Sequence, residues 1–323
     1  AGCLGFAANT EILVSGFMTL AALALLRSWD RACSWPWAAL CGLACGAALM
    51  SKQTCLWSVA AFGGLQWWGS KHSERSRQNF AAYAISTTAI PLAFCAYFWV
   101  RGGLAAFYDD AFSHNIDYAR VAAETGAWRG QAAWFAGTVL PLFLRGGWPY
   151  CALAVLGLWG VRVSSTRRLE VLITAWLGSA LAGISTGLLL FPHYFLQALP
   201  PFCLACGLGV QRLHDHFPLA RRYACGTILL VLLALYPALT FSSIYFRDSP
   251  QVLANKLLYP NPLYESQSIA AYIQSHAALK DKIYVFGSEP QIYIYAKRMG
   301  ATRHIVSLPL TMYPRDESIL ASE

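Results

Sequence analysis

Apolar stretches of about the length of a bilayer crossing alternate along this chain with short polar, basic breaks as far as Phe246, where the pattern ends. Ile12 to Leu26 follows Asn9-Thr10-Glu11 and stops at Arg27-Ser28-Trp29-Asp30-Arg31. Trp37 to Trp68 is apolar except for Ser51-Lys52-Gln53-Thr54. Phe80 to Val100 comes next and ends at Arg101-Gly102-Gly103. Residues 131–161 are apolar but interrupted at Arg145-Gly146-Gly147-Trp148-Pro149. Leu169 to Leu190, Tyr194 to Val210 and Tyr223 to Phe246 complete the series. Such runs predict membrane-spanning helices, because in hydrocarbon a backbone has to satisfy its own polar groups.

The basic residues decide how often the chain crosses, since cytoplasmic loops are enriched in Lys and Arg. Four groups are assigned to the cytoplasm: Arg27 with Arg31; Lys71, Arg75 and Arg77; Arg162, Arg167 and Arg168; and Arg212, Arg221 and Arg222. The chain must then cross twice between Arg31 and Lys71, which puts Lys52 at an outer turn between two spans, each shorter than the ~20 residues of a full crossing. Between 131 and 161 an odd number of crossings is needed. This predicts an interfacial helix to about Leu144 and one span from Trp148 to Val161. The expectation is an all-α polytopic domain over residues 1–246 with eight spans and its amino end outside. Glu11, Lys52, a polar loop over 101–130 and His193-Tyr194 all fall on the outer face.

Composition agrees with a membrane protein and excludes a soluble domain. Of the 323 residues, 57% are hydrophobic and only 12% charged, with 12 Trp among them. The net charge of +8 follows the loops and forms no single patch, so nucleic acid is not an expected partner. The ten cysteines lie almost entirely in apolar runs, where Cys packs as a small side chain, and neither a disulfide framework nor a metal site is expected. Cys203 and Cys206, although a C-x-x-C, belong to this class.

After Phe246 the sequence becomes mixed polar, and residues 247–323 predict a small, incomplete α/β domain outside the cytoplasm. Ile269, Ala270, Tyr272 and Ile273 form one face of a short helix, while Lys282 to Phe286 and Ile305 to Leu308 have strand character. Between the strands, Ser288 and Gln291 make a capping box with Pro290 in the first turn, giving a βαβ unit. The chain opens at Ala1-Gly2-Cys3 without an initiator Met, and the outer domain has too little chain for a closed sheet. A fragment, truncated at both ends, is expected.

Candidate chemistry gathers around Phe191-Pro192-His193-Tyr194-Phe195-Leu196-Gln197-Ala198-Leu199-Pro200-Pro201. His193 and Tyr194 open a span, so an imidazole and a phenol stand beside free backbone N–H groups and the positive end of a helix dipole, a setting for phosphate. In an α-helix, Gln197 shares the face of His193. The plain alternative is that these rings only mark the membrane interface, where amphipathic aromatics collect. Lys52 snorkelling from a helix end, and Glu11 as a solvated interfacial carboxylate, are the corresponding plain explanations. In the 101–130 loop, Asp109, Asp110, His114 and Tyr118 are candidates for contact with an acceptor.

Several of these segments together resemble the bacterial polytopic glycosyltransferases of the GT-C class, which include protein mannosyltransferases, lipid A aminoarabinose transferases and Rgt-type lipopolysaccharide glycosyltransferases. They are Asn9-Thr10-Glu11, Gly42-Leu43 through Ser51-Lys52-Gln53-Thr54, Pro192-His193-Tyr194-Phe195 with Pro200-Pro201, and Gly287-Ser288-Glu289-Pro290-Gln291-Ile292-Tyr293. The resemblance implies inverting transfer of a sugar from a polyprenyl-phosphate donor to a lipid, glycan or protein acceptor outside the bacterial inner membrane. It implies that Glu11 is the second acidic position, near the acceptor or an optional divalent cation, and that Lys52, His193, Tyr194 and Gln197 lie near the donor phosphate. The family's main catalytic acidic residue is expected upstream of Ala1. The rival expectation is a transporter or lipid flippase, for which broken helices and intramembrane charges are also typical, or a non-catalytic envelope assembly protein.

Overall fold

The computed structural model describes residues 10–30, 34–68, 74–159, 167–187, 190–216, 222–253, 263–287 and 289–302. Its helices are α1 (Thr10–Asp30), α2 (Trp35–Ser51), α3 (Leu56–Trp68), α4 (Glu74–Val100), α5 (Leu104–Tyr108), α6 (His114–Glu124), α7 (Ala127–Trp134), α8 (Leu140–Trp159), α9 (Arg167–Thr186), α10 (Leu199–His216), α11 (Arg222–Thr240), α12 (Glu265–His276) and α13 (Gln291–Ala296). The chain divides into two compact units, Ala1–Thr240 and Phe241–Glu323.

The first unit is an all-α membrane domain. Among the described residues, six helices are long and apolar enough to cross a bilayer: Thr10–Trp29, Arg77–Val100, Ala127–Trp159, Arg167–Thr186, Pro192–His216 and Tyr223–Thr240. The two halves of the 37–68 run are the separate helices α2 and α3, of 17 and 13 residues, and neither reaches the length of a crossing alone. Apolar side chains such as Ile85, Leu92, Trp99, Ile228 and Leu239 are exposed along α4 and α11, which suits lipid.

Helix packing depends on small residues. Gly42 and Gly46, four apart on α2, let the backbone of α4 approach closely. A Cβ at Gly42 would lie 2.3 Å from the Tyr83 carbonyl oxygen, and one at Gly46 2.6 Å from that of Thr87. Gly157 on α8 and Gly209 on α10 do the same for each other's helices. The core behind these contacts joins α1, α2, α3 and α9 around Phe62 and Trp176, whose rings meet edge to face at 5.7 Å. Leu153, Ala154, Ile173, Ala205 and Leu208 form a second cluster between α8, α9 and α10.

Two sequence expectations are overturned here. The expected division at Arg145-Gly146-Gly147-Trp148-Pro149 does not occur, and Ala127–Trp159 is one 33-residue helix with a π-helical turn at Phe135–Val139. Pro149 cannot donate to the Arg145 carbonyl, yet that oxygen accepts a hydrogen bond from the Tyr236 hydroxyl at 2.6 Å, so the helix continues. The relation is reciprocal, because Pro237 of α11 frees the Leu233 carbonyl and the Tyr150 hydroxyl of α8 donates to it. The expected 101–130 loop is also helical, through α5, a π-helical turn at Asp109–Ser113, and α6. Arg120 pairs with Asp117 at 2.7 Å and with Glu124 at 3.6 Å, three and four residues away, which supports helix in a polar segment.

In the second unit no strand forms among the described residues. Ile283 and Gly300 make a single parallel bridge, with the Ile283 N–H donating to the Met299 carbonyl and the Ala301 N–H to that of Ile283. Ile305 to Leu308 and Ser288 lie outside the described residues. The helix α13 begins at Gln291 after Pro290, and the Gln291 amide donates to the Ser266 hydroxyl of α12 at 2.9 Å.

Candidate functional site

Polar Ser51-Lys52-Gln53-Thr54 interrupts an apolar run, and the backbone breaks there. Lys52 is extended (φ −165°, ψ 129°), its N–H closes α2 on the Ala48 carbonyl, and a single 3₁₀ turn over Gln53–Cys55 leads into α3. The turn is pressed onto α9, where a Cβ on Gly183 would lie 2.1 Å from the Thr54 carbonyl oxygen, and the Trp57 indole donates to the Thr186 hydroxyl at 2.8 Å.

The His193 segment is 3₁₀ rather than α-helical over all seven residues of Pro192–Ala198, longer than such runs usually are. Pro200 and Pro201 explain it, because neither can supply the N–H that α-helical bonding would bring to the carbonyls of Leu196 and Gln197. The Leu196 carbonyl instead accepts from the Leu199 N–H and from the Ser15 hydroxyl of α1, the latter at 2.8 Å. The expected α-helical face changes as a result. Side chains three apart eclipse in a 3₁₀ helix, so Gln197 lies under Tyr194, not under His193. The Tyr194 N–H, expected to be free for an anion, donates to the Phe191 carbonyl at 3.0 Å.

These two irregular segments and α1 converge. Glu11, 1% exposed, forms an ion pair with Lys52, and His193 Nε2 stands 3.9 Å from the same carboxylate oxygen, Oε1. The Lys52 ammonium also lies 3.9 Å from the centre of the Tyr194 ring, a cation–π contact. Phe191 stacks on His193 with ring centres 5.6 Å apart and planes within 15°, and the edge of Tyr194 closes on the imidazole at 4.7 Å. Two residues beyond Lys52, the Thr54 hydroxyl donates to Gln197 Oε1 at 3.3 Å, while the buried Gln197 Nε2 has no hydrogen-bond partner among the described residues. The Lys52–Thr54 turn therefore runs alongside the Tyr194–Gln197 face. Phe135, in the π-helical turn, stacks on Phe195 with ring centres 5.1 Å apart.

Glu11, Lys52, His193, Tyr194 and Gln197 are thus brought together. Asp109 and Asp110 are not: they stand exposed in the π-helical turn after α5 and take no part in the hydrogen bonds and ion pairs of this cluster. The side chains of His114 and Tyr118 lie outside the described part of α6. Phe191, Thr54, Ser15 and Phe135 were missed from sequence. For Ser15 a signal existed, since it follows Glu11 by four residues and so shares its face of α1.

A second buried ion pair, also missed, joins Arg212 to Glu170 at 2.8 Å, with Arg212 bonded in addition to the Leu156 carbonyl at 2.7 Å. Glu170 and the Gly183 contact with the Lys52 turn are separated by 13 positions of α9, or ~20 Å of helix at 1.5 Å per residue. The two pairs therefore mark opposite ends of the same helix.

Chemically, the Lys52 cluster offers a cation, a carboxylate, an imidazole and an aromatic wall at one end of a membrane helix bundle. Lys52 can hold an anion and Glu11 can accept a proton or hydrogen bond from a hydroxyl, whereas no nucleophile–base pair is assembled among the described residues of the cluster. A divalent cation does not fit the arrangement, because the Lys52 ammonium already occupies the Glu11 oxygen and a metal there would set two positive charges against each other. Compared with family models, curated proteins and solved structures, the chain matches none.

Proposed function

We propose that this protein is a membrane glycosyltransferase that moves a sugar, with inversion, from a polyprenyl phosphate to a lipid, glycan or protein acceptor on the extracytoplasmic side of the bacterial inner membrane. The observation that carries this is the meeting of Lys52, His193 and Tyr194, all half-buried and drawn from distant parts of the chain, around the buried Glu11. A polyprenyl-phosphate donor keeps its tail in the bilayer, and its phosphate, as leaving group, gains negative charge in the transition state. Lys52 and His193 stabilise that charge, with the Tyr194 hydroxyl as a further donor. Glu11 faces the acceptor. Within this proposal α2 and α3 count as two short crossings, which gives eight spans with Lys52 outside, and residues 247–323 are an incomplete α/β domain outside the cytoplasm.

The test is sugar transfer by purified full-length protein from a defined polyprenyl-phosphate sugar, with the anomeric configuration of the product read by NMR. Loss of one charged hydrogen-bond partner costs about 1.5–3 kcal/mol, so Lys52→Ala and His193→Ala should each slow transfer by about ten- to a hundredfold. Unchanged transfer in both variants would refute the assignment.

A further inference from the structure

We infer that the Glu11–Lys52 ion pair is a latch on the anion site: an incoming phosphate takes Lys52 away from Glu11, and His193 replaces it on the carboxylate. This rests on the donor site proposed above and adds a rule for opening it. The Lys52 side chain is 20% exposed and that of Glu11 only 2%, so an arriving anion meets the ammonium while the carboxylate stays covered. The ammonium lies between Glu11 and the face of Tyr194, so a second anion competes with Glu11 for it.

Leaving is costly, because a buried carboxylate stripped of its partner is unfavourable. A replacement stands ready. His193 Nε2 is 3.9 Å from the same oxygen, less than an ångström beyond hydrogen-bond range, and Phe191 and Tyr194 hold its ring in place. The groups that face His193 here are Glu11, Lys52 and Tyr194, and Thr10 donates to the other carboxylate oxygen at 3.3 Å. A neutral sugar or a bare polyprenol carries no negative charge to draw Lys52 off Glu11, so only a phosphate-bearing ligand opens the latch. With Lys52 withdrawn, Glu11 keeps His193 and Thr10 as partners and can accept a further hydrogen bond from an acceptor hydroxyl, which orders donor binding before acceptor binding.

The measurement is binding of farnesyl phosphate, inorganic phosphate and farnesol to the full-length protein in detergent, by calorimetry. Glu11→Gln frees Lys52 and should bind farnesyl phosphate about tenfold more tightly, the size of one charged hydrogen bond, with farnesol unchanged. The same gain with inorganic phosphate assigns recognition to the phosphate alone; a gain confined to farnesyl phosphate assigns it to phosphate together with a tail. His193→Ala should weaken binding more in the native background than when combined with Glu11→Gln, the difference being the part of its effect that passes through Glu11. If the native protein binds farnesyl phosphate and Glu11→Gln binds it no better, the latch is wrong and the donor site stands. If neither binds, the donor site fails and takes the latch with it. Should Glu11→Gln lose its cooperative thermal transition, Glu11→Asp replaces it, with a smaller gain expected and no gain counting against the latch.

Discussion

At the scale of single residues, the Lys52 cluster behaves as one electrostatic unit. Removing Lys52 alone leaves the Glu11 carboxylate, 1% exposed, to His193 and the Thr10 hydroxyl, a poorer match than the ammonium, at a cost of up to about 3–5 kcal/mol for a buried pair, whereas removing both charges is far milder. Lys52→Met should therefore lower the unfolding midpoint in a detergent denaturation series, and Glu11→Gln with Lys52→Met should restore most of it. Equal destabilisation by the single and double variants would mean that the pair is not coupled. His193→Arg should keep more transfer activity than His193→Ala, since a permanent guanidinium can still serve either the carboxylate or a phosphate. Glu11, Lys52, His193 and Tyr194 could be singled out from the sequence because a charge or polar ring beside a long apolar run is unusual. Their partners could not, since Phe191, Phe135 and Thr54 look like ordinary interfacial or helix residues until the chain is folded.

At the scale of elements, prolines and glycines set the geometry. Pro200 and Pro201 hold Pro192–Ala198 as a 3₁₀ helix, and that choice decides which side chains face the Lys52 turn. Where the sequence was read with α-helical spacing, Gln197 was put beside the wrong neighbour. The Arg145–Pro149 break failed for a related reason: the hydroxyl of Tyr236 lies 91 residues away in the chain, and local composition carries no sign of it. Tyr236→Phe and Tyr150→Phe should each cost about 1 kcal/mol, the worth of one hydrogen bond, and make amide hydrogen exchange faster around Arg145 and Leu233 respectively. Unchanged exchange at both carbonyl turns would show that the hydroxyls are dispensable. Gly183→Ala drives a methyl group into the Thr54 carbonyl and should displace the Lys52 turn, with a cost of about 1–3 kcal/mol and a larger loss of transfer than of stability.

At the scale of the whole molecule, the helical membrane domain was legible because hydropathy reports directly on the solvent each helix meets: of the six helices among the described residues long enough to cross, five match expected single spans, and Ala127–Trp159 is expected as an interfacial helix and a shorter span. The second unit was less legible: a short alternating run such as 282–286 depends on a partner strand for its structure, and only the Ile283–Gly300 bridge supplies one among the described residues. Topology is open to a direct check, in which single cysteines at positions 52 and 75, in a protein freed of its native cysteines, should label from opposite sides of the membrane. Labelling from the same side would remove the two short crossings. The most decisive measurement is photocrosslinking of the full-length protein in native membranes with a polyprenyl phosphate carrying a diazirine on the isoprene unit next to the phosphate, followed by peptide mapping. Adducts should fall on residues 51–54 and 191–197 and be competed away by unlabelled polyprenyl phosphate; competable adducts confined to other parts of the chain would contradict a donor phosphate held by Lys52 and His193.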